Sequence, residues 1–326
     1  RMPALLRKHG YKVGFIAHPL SWTQKFEDIA RNVVHAVDPV IVVNECRSFM
    51  SVLKGCWHSL MIKWHFPTNL KVKGMELYPL FDYELRADAI KPQSSLSFTY
   101  SDIARVLSQN GVKLKAIVYT FENQGWERAW LLGMKEHLPD TRLIGYQHAP
   151  FAERYIGFFP SKKSIRNNAV ADQIILMGAQ YETWYEKRFF PKEKMTTGGS
   201  LRFEKLQNIT KEWPQKPERT ILVCPTLVYE QALDLILKAA QAISGLKDVK
   251  LIINFHAIVE DQFRDDIETN VRKYFPQEIS RITFSTERAT TLFQQASLVL
   301  YNTSGVVFDA VLAGLPTINV NVNGEL

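Results

Sequence analysis

The sequence predicts two α/β domains, each a Rossmann-like parallel sheet flanked by helices, facing one another across a cleft. Three observations predict it. Short apolar runs rich in β-branched residues alternate with segments of helical periodicity through most of the 326 residues. The alternation breaks at Lys211–Arg219, where Pro214 and Pro217 sit among basic residues, and then restarts. A chain of this length also exceeds what one core organises well, and either half is long enough to bury its own. The predicted domains are residues 1–210 and 211–326.

In the first domain, Tyr11–Ile16 is a short apolar run ending at His18-Pro19, a strand and a turn. Phe26–Val37 carries apolar residues at helical spacing, and Pro39–Val43 reads as the next buried strand. Met50–Phe66 is aromatic-rich. At helical spacing its stripe predicts a core-facing helix, while Lys54, Lys63, Lys71 and Lys73 nearby leave open a face resting on a membrane. Residues 67–100, interrupted by Pro67, Pro79 and Pro92, read as loop with short elements. A helix over Tyr100–Gln109 with Ser101 as its cap follows. Then come a strand at Leu114–Tyr119, a helix to about His137 and a strand at Arg142–Tyr146. After a basic loop over 151–169, a strand at Ala171–Met177 leads to a helix at Gln180–Phe189 and a run at Lys194–Gly199.

The second domain repeats the alternation. Its strands are Thr220–Cys224, Lys250–Phe255, Arg281–Phe284, Leu298–Tyr301 and Thr317–Val322. Its helices are Gln231–Ile243, Asp261–Phe275, Thr290–Gln295 and one after Gly305 that Gly314 closes. Ligands of such sheets lie at the carboxyl ends of strands, so polar residues there are the candidates.

Composition narrows the classes. With 46% apolar and 22% charged residues the chain is that of a globular protein. No apolar run approaches the ~20 residues that cross a bilayer. Cys46, Cys56 and Cys224 lack CxxC spacing, which argues against a disulfide framework or a cysteine zinc site and fits a reducing cytoplasm. A net charge of +7 favours anionic partners. No basic tract or nucleic-acid motif points to nucleic acid. The start at Arg1, with no initiator methionine and no signal-peptide pattern, is that expected of an excised segment.

The turn Asn302-Thr303-Ser304-Gly305, between a buried strand and a helix, presents backbone N–H groups and a helix end to a seated anion. Asp309 follows about one turn into that helix. Pro225 and Thr226 follow the first strand of this domain and His256 the second, where an imidazole can hydrogen-bond a phosphate. Together these residues describe a nucleotide site built without a Walker loop, since GxxxxGK[ST] and GxGxxG are both absent. In the first domain, Glu122 and His148 each follow an apolar strand. Either could take a proton from an attacking hydroxyl; the plainer alternatives are a Glu122–Arg128 ion pair and a His148 bond to a backbone carbonyl. Trp126, near the start of the helix after Glu122, is a core residue or a platform for a sugar ring. With no HExxH, DxD or GxSxG, metal-bridged and acyl chemistry have no motif to stand on.

These segments resemble the GT-B glycosyltransferases, above all the bacterial surface-polysaccharide and capsule enzymes and the CDP-glycerol glycerophosphotransferases. Ser304–Pro316 is similar to their C-terminal signature, with Asp309 where glutamate is usual. Asn254-Phe255-His256-Ala257 is similar to the His-Pro motif of CMP-sugar users of the sialyl and Kdo type, and Gly145–Ala149 to a His-Gly turn whose histidine acts as base. Gly199–Phe203 is similar to the segment leading out of the first domain. The resemblance implies a cytoplasmic, metal-independent glycosyltransferase without a cofactor, acting in capsule or lipopolysaccharide synthesis. It implies a nucleotide-sugar donor, CMP-sugar first, held by Pro225, Thr226, His256, Thr303, Ser304, Gly305 and Asp309. A glycan or lipid-linked glycan acceptor is implied on the side of His148 and Glu122, with peripheral contact to the inner membrane face. It also implies further C-terminal elements beyond Leu326, a truncated second domain. The alternatives that stay open are transfer of a polyol phosphate from a CDP-alcohol, nucleotide-sugar epimerisation, and a catalytically inactive scaffold.

Overall fold

The computed structural model describes residues 2–17, 26–61, 71–201, 203 and 219–320. The chain divides into two compact units, Arg1–Gly199 and Ser200–Leu326. The expected boundary at 210/211, residues 211–218 of the linker, the turn at His18-Pro19, residues 62–70 with Trp64 and Phe66, Arg202, and residues 321–322 lie outside the described residues.

The first unit opens with α1 (Met2–Lys8), β1 (Phe15–Ala17), α2 (Phe26–Val34), β2 (Val40–Val42) and α3 (Phe49–Met61). β1 and β2 pair in parallel, Phe15 opposite Val40. A hairpin of β3 (Lys71–Val72) and β4 (Met75–Glu76) precedes α4 (Tyr78–Ala89), α5 (Pro92–Ser97) and α6 (Ser101–Gln109). The main sheet then forms from β5 (Ala116–Thr120), β6 (Arg142–Tyr146), β7 (Gln173–Leu176) and β8 (Met195–Thr197), all parallel and in sequence order. Its connections carry α7 (Gly125–His137), α8 (Lys162–Arg166) and α9 (Ala179–Glu186).

Three local expectations fail here, each for a stated reason. The stretch read as loop with short elements over 67–100 contains a twelve-residue helix, α4, besides the short α5, because Pro79 and Pro92 stand in the first turns of these helices. There the missing N–H has no partner to lose, so proline starts a helix instead of breaking it. Ser101 does not cap α6. A 3-10 turn at Phe98–Tyr100 runs straight into the helix, and the Ser101 hydroxyl donates back to the Phe98 carbonyl at 3.3 Å. The apolar stripe of α3 faces outward: Trp57 is 61% exposed and Leu60 65%, while the buried residues are Gly55 and Ser59. Close packing on α5 selects that face, since a Cβ on Gly55 would come 2.4 Å from the Ser95 carbonyl oxygen. The Ser59 hydroxyl is bonded to the carbonyl of Ala89.

Two cores hold this unit. Ile103 and Leu107 of α6 meet Trp130, Leu131 and Met134 of α7, together with Leu143 of β6. The crossing is close because of Gly133, where a Cβ would stand 2.6 Å from the Cα of Ser101. A second core is aromatic: Phe121, Phe151, Phe159 and fully buried Tyr185, with Phe151 stacked on Phe158 at 4.3 Å between ring centroids.

The second unit alternates strictly: β9 (Thr220–Cys224), α10 (Tyr229–Ser244), β10 (Lys250–Asn254), α11 (Asp261–Tyr274), β11 (Ile282–Ser285), α12 (Ala289–Leu292), β12 (Leu298–Tyr301), α13 (Val306–Leu312) and β13 (Thr317–Asn319). The five strands are parallel in the order β11-β10-β9-β12-β13. Their uninterrupted apolar runs are explained by helices on both faces, which bury Leu222, Val223, Leu251, Ile253 and Val299 completely. The three thiols are free. Burial pushes those of Cys46 and Cys224 up, the latter to about 12, while Cys56 on α3 is half-buried. Among the described residues no helix is long and apolar enough to cross a membrane.

Candidate functional site

In the second unit the strand order reverses between β9 and β12. In open parallel sheets the crevice for a ligand lies at the carboxyl ends of strands on the two sides of such a reversal. Tyr301 pairs with Cys224 at those ends, and Val223 pairs with Ile253 of β10 on the other side. The register therefore brings Pro225 and Thr226, the turn at 302–305 and His256 to one edge of the sheet. Asn302 is buried and locks the turn: its amide donates to the Gln231 carbonyl of α10 at 3.3 Å, and its oxygen accepts from the N–H of Thr303 at 2.9 Å. The Ser304 hydroxyl accepts from the N–H of Val306 at 3.4 Å. Two of the donors expected to face an anion are thus already occupied within the turn, and the helix behind it has only seven residues. Thr303 and Gly305 are exposed, Ser304 and Thr226 half-buried, and Pro225 buried. Asp309 is buried on α13, 6% exposed, not on the open face of the turn. His256 is exposed, and its Nδ1 accepts from the N–H of Ile258 at 3.2 Å, which leaves Nε2 as the outward atom.

In the first unit, β5 and β6 are neighbours in register, Thr120 opposite Tyr146. Glu122 and His148 each lie two residues past these ends, and they meet: His148 Nε2 is 3.3 Å from Glu122 Oε1. The side chains are 35% and 40% exposed, so the pair has open access. Neither plainer alternative describes the geometry. The guanidinium of Arg128 donates instead to the Asn123 carbonyl at 2.9 Å, and His148 Nδ1 is buried without a hydrogen-bond partner. Nε2 thus faces the carboxylate while Nδ1 is turned inward.

Two residues that sequence reasoning passed over hold this pair in place. Glu127, on the first turn of α7, is 1% exposed. Its carboxylate accepts the backbone N–H groups of Glu122 (2.9 Å), Asn123 (3.0 Å) and Gln124 (3.1 Å). The bond from Gln124 belongs to a capping box, whose Gln-x-x-Glu spacing was the available signal. The other two bonds go further and fold the loop that carries Glu122 around one buried carboxylate. Burial pushes that carboxyl up to about 7, against the opposing pull of the three N–H groups and with a smaller push from the Glu122 charge. Asn123, at φ 58° in the left-handed region, also donates through its side chain to the Gly157 carbonyl at 2.8 Å. Gln147, 1% exposed, performs the same service for His148. Its amide donates to the Ala149 carbonyl at 3.2 Å and its oxygen accepts from the N–H of Met177 at 3.1 Å.

The pair borders an open cavity of ≈2710 Å³ lined by the first unit, with Arg47, Tyr100, Trp126 and Tyr119 among its walls. Trp126 packs on Tyr100, ring centroids 5.1 Å apart, and so is at once a core residue and a wall of the cavity. Among the described residues no group of His, Cys, Asp and Glu is placed to hold a metal ion.

No protein-family model and no curated protein matches this sequence. Solved structures do match, over most of the chain. S. aureus MnaA with UDP aligns at 12% identity over 94% of this chain and 79% of its own, TM-score 0.52. UDP-GlcNAc 2-epimerase from Neisseria meningitidis, bound to UDP-GlcNAc, aligns at 10% identity over 95% and 83%, TM-score 0.52. The Methanocaldococcus jannaschii UDP-GlcNAc 2-epimerase, in complex with UDP-GlcNAc and UDP, aligns at 13% identity over 95% and 83%, TM-score 0.50. At these identities the likeness is one of fold: two Rossmann-like parallel-sheet units in the GT-B manner.

Proposed function

We propose that the chain is a nucleotide-sugar enzyme whose chemistry is carried by Glu122 and His148, and that its reaction is of the epimerase type. The observation that carries this reading is the 3.3 Å pair at the ends of two adjacent parallel strands, in a fold shared with proteins solved with UDP and UDP-GlcNAc. Epimerisation needs one group to take a proton from a sugar carbon and one to return a proton to the opposite face; no atom is gained or lost, and no acceptor is required. A carboxylate and an imidazole side by side, with access to solvent, supply two groups able to take up and return a proton. The nucleotide belongs on the second unit, at Pro225, Thr226, Thr303, Ser304 and Gly305 beside the strand-order reversal, with His256 Nε2 as the one imidazole donor at that edge. UDP stands first as the nucleotide, ahead of CMP, since the proteins that share this fold were solved with UDP and UDP-GlcNAc.

A second reading, transfer of the sugar to a glycan acceptor, draws on the exposure of the same pair, which leaves an incoming hydroxyl within reach of a base. One experiment separates the two. The protein is incubated with UDP-GlcNAc, without and with a glycan acceptor, and followed by proton NMR. A second UDP-sugar with no release of UDP supports epimerisation; UDP released only with acceptor supports transfer. A complete lack of thermal stabilisation by UDP, CMP, CDP, GDP and dTDP would sink both, because a ligand bound only by the folded state at a hundred times its Kd adds about 2.7 kcal/mol.

A further inference from the structure

Helix α3 is built with its faces reversed. At about 100° per residue, Phe49, Met50, Leu53, Trp57, Leu60 and Met61 fall within roughly one third of the circumference. All six are exposed, from 47% at Leu53 to 77% at Phe49. The opposite side, with Gly55 and Ser59, is the buried one. The orientation is fixed by contact: Gly55 lies too close to the Ser95 carbonyl for any side chain, and Ser59 is bonded to Ala89. A helix that presents its large apolar side chains to solvent carries a surface for something else.

Charge says what that is. α3 contains no acidic residue, and exposed Lys54 borders the apolar arc. The unit that carries it, residues 1–199, holds 27 Lys and Arg against 18 Asp and Glu, a net +9. The second unit, residues 200–326, holds 13 against 15, a net −2. All of the chain's positive excess therefore lies on the unit that exposes the stripe. A second copy docking through the same face would bring like charge against like charge, which disfavours a symmetric dimer here. Thirteen residues are too few to span a bilayer, which takes ~20. They suit a helix lying in the headgroup plane, with Trp57 at mid-stripe and Lys54 at the rim. We infer that the outward face of α3 docks the protein on an anionic lipid membrane. The inference stands on the helix and the charge division alone and does not depend on the reaction proposed above.

The test is co-sedimentation of the full chain with vesicles of phosphatidylglycerol and phosphatidylcholine, beside vesicles of phosphatidylcholine alone. Binding is expected to the anionic vesicles and to weaken in high salt. The double substitution Trp57→Glu and Leu60→Glu is expected to reduce it at least about tenfold, since it places two charges in the buried layer. Both side chains are exposed, so the thermal melt should not move, and that melt serves as the folding control. The inference is overturned by failure to bind anionic vesicles or by undiminished binding of the folded double variant. It is equally overturned if ultracentrifugation shows a dimer that the same substitutions dissociate, since the face then belongs to a second copy.

Discussion

The strand ends of the two units are built from different materials. Those of the first unit gather ionisable side chains, Glu122 and His148, held on loops that Glu127 and Gln147 clamp from inside. Those of the second gather hydroxyls, a proline, backbone amides and the single imidazole of His256, and the turn at 302–305 spends the side chains of Asn302 and Ser304 on the N–H groups of Thr303 and Val306. On the function proposed above, the first arrangement would move protons and the second would hold a ligand by shape and hydrogen bonds. Chemistry and affinity are thus separable, and substitutions in one region should leave the other's readout unchanged.

The largest effect should come from His148→Ala or Glu122→Ala. Either is expected to lower turnover by about 10²–10⁴, the range for losing an acid–base group, with nucleotide stabilisation and melting temperature unchanged. A variant that loses nucleotide affinity as well would erase the division drawn here. Glu127→Gln should come next. The amide keeps one acceptor oxygen but turns the other into a donor facing the Asn123 N–H, so the loop loses at least one bond, worth about 1–3 kcal/mol when a buried group is left unpaired. Denaturant titration gives the loss of stability, and amide NMR shifts at 122–124 give the loss of loop geometry.

The same residue carries a pH signature. Its carboxyl titrates at about 7 in the fold against an ordinary 4.5. Between those values the folded chain keeps a proton that the unfolded chain has released. The contribution of Glu127 to stability is therefore fully present below pH 4.5 and is lost as pH rises through about 7. Wild type should lose stability across that window relative to Glu127→Gln; parallel slopes would reject the assignment. The smallest effect is expected from Ser304→Ala, about 0.5–1.5 kcal/mol of nucleotide stabilisation for one neutral hydrogen bond, read by thermal shift. Turnover at saturating substrate should not change.

How much of this the sequence disclosed depended on the range of the interaction. Arg142–Tyr146, Thr220–Cys224 and Leu298–Tyr301 are strands at the predicted residues because they are apolar on both faces, and local composition is enough to say so. Glu122 and His148 were readable as strand-end residues, but that they meet follows from the pairing of β5 and β6. Glu127 was hidden because a carboxylate on a first helical turn is usually solvated, and only the loop folded over it makes it internal. For α3 the periodicity was right and the direction reversed: the stripe shows that a helix has two faces, while a glycine contact with α5 decides which is buried.

The cysteines give this last region a practical handle. Buried Cys46 and Cys224, with thiols pushed up by their surroundings, hold little thiolate near neutral pH and react slowly. Cys56 is the half-buried thiol of the three and adjoins Trp57 on α3. A single equivalent of an environment-sensitive maleimide dye should accordingly modify one position without any cysteine being engineered, and report by its colour when that helix leaves water.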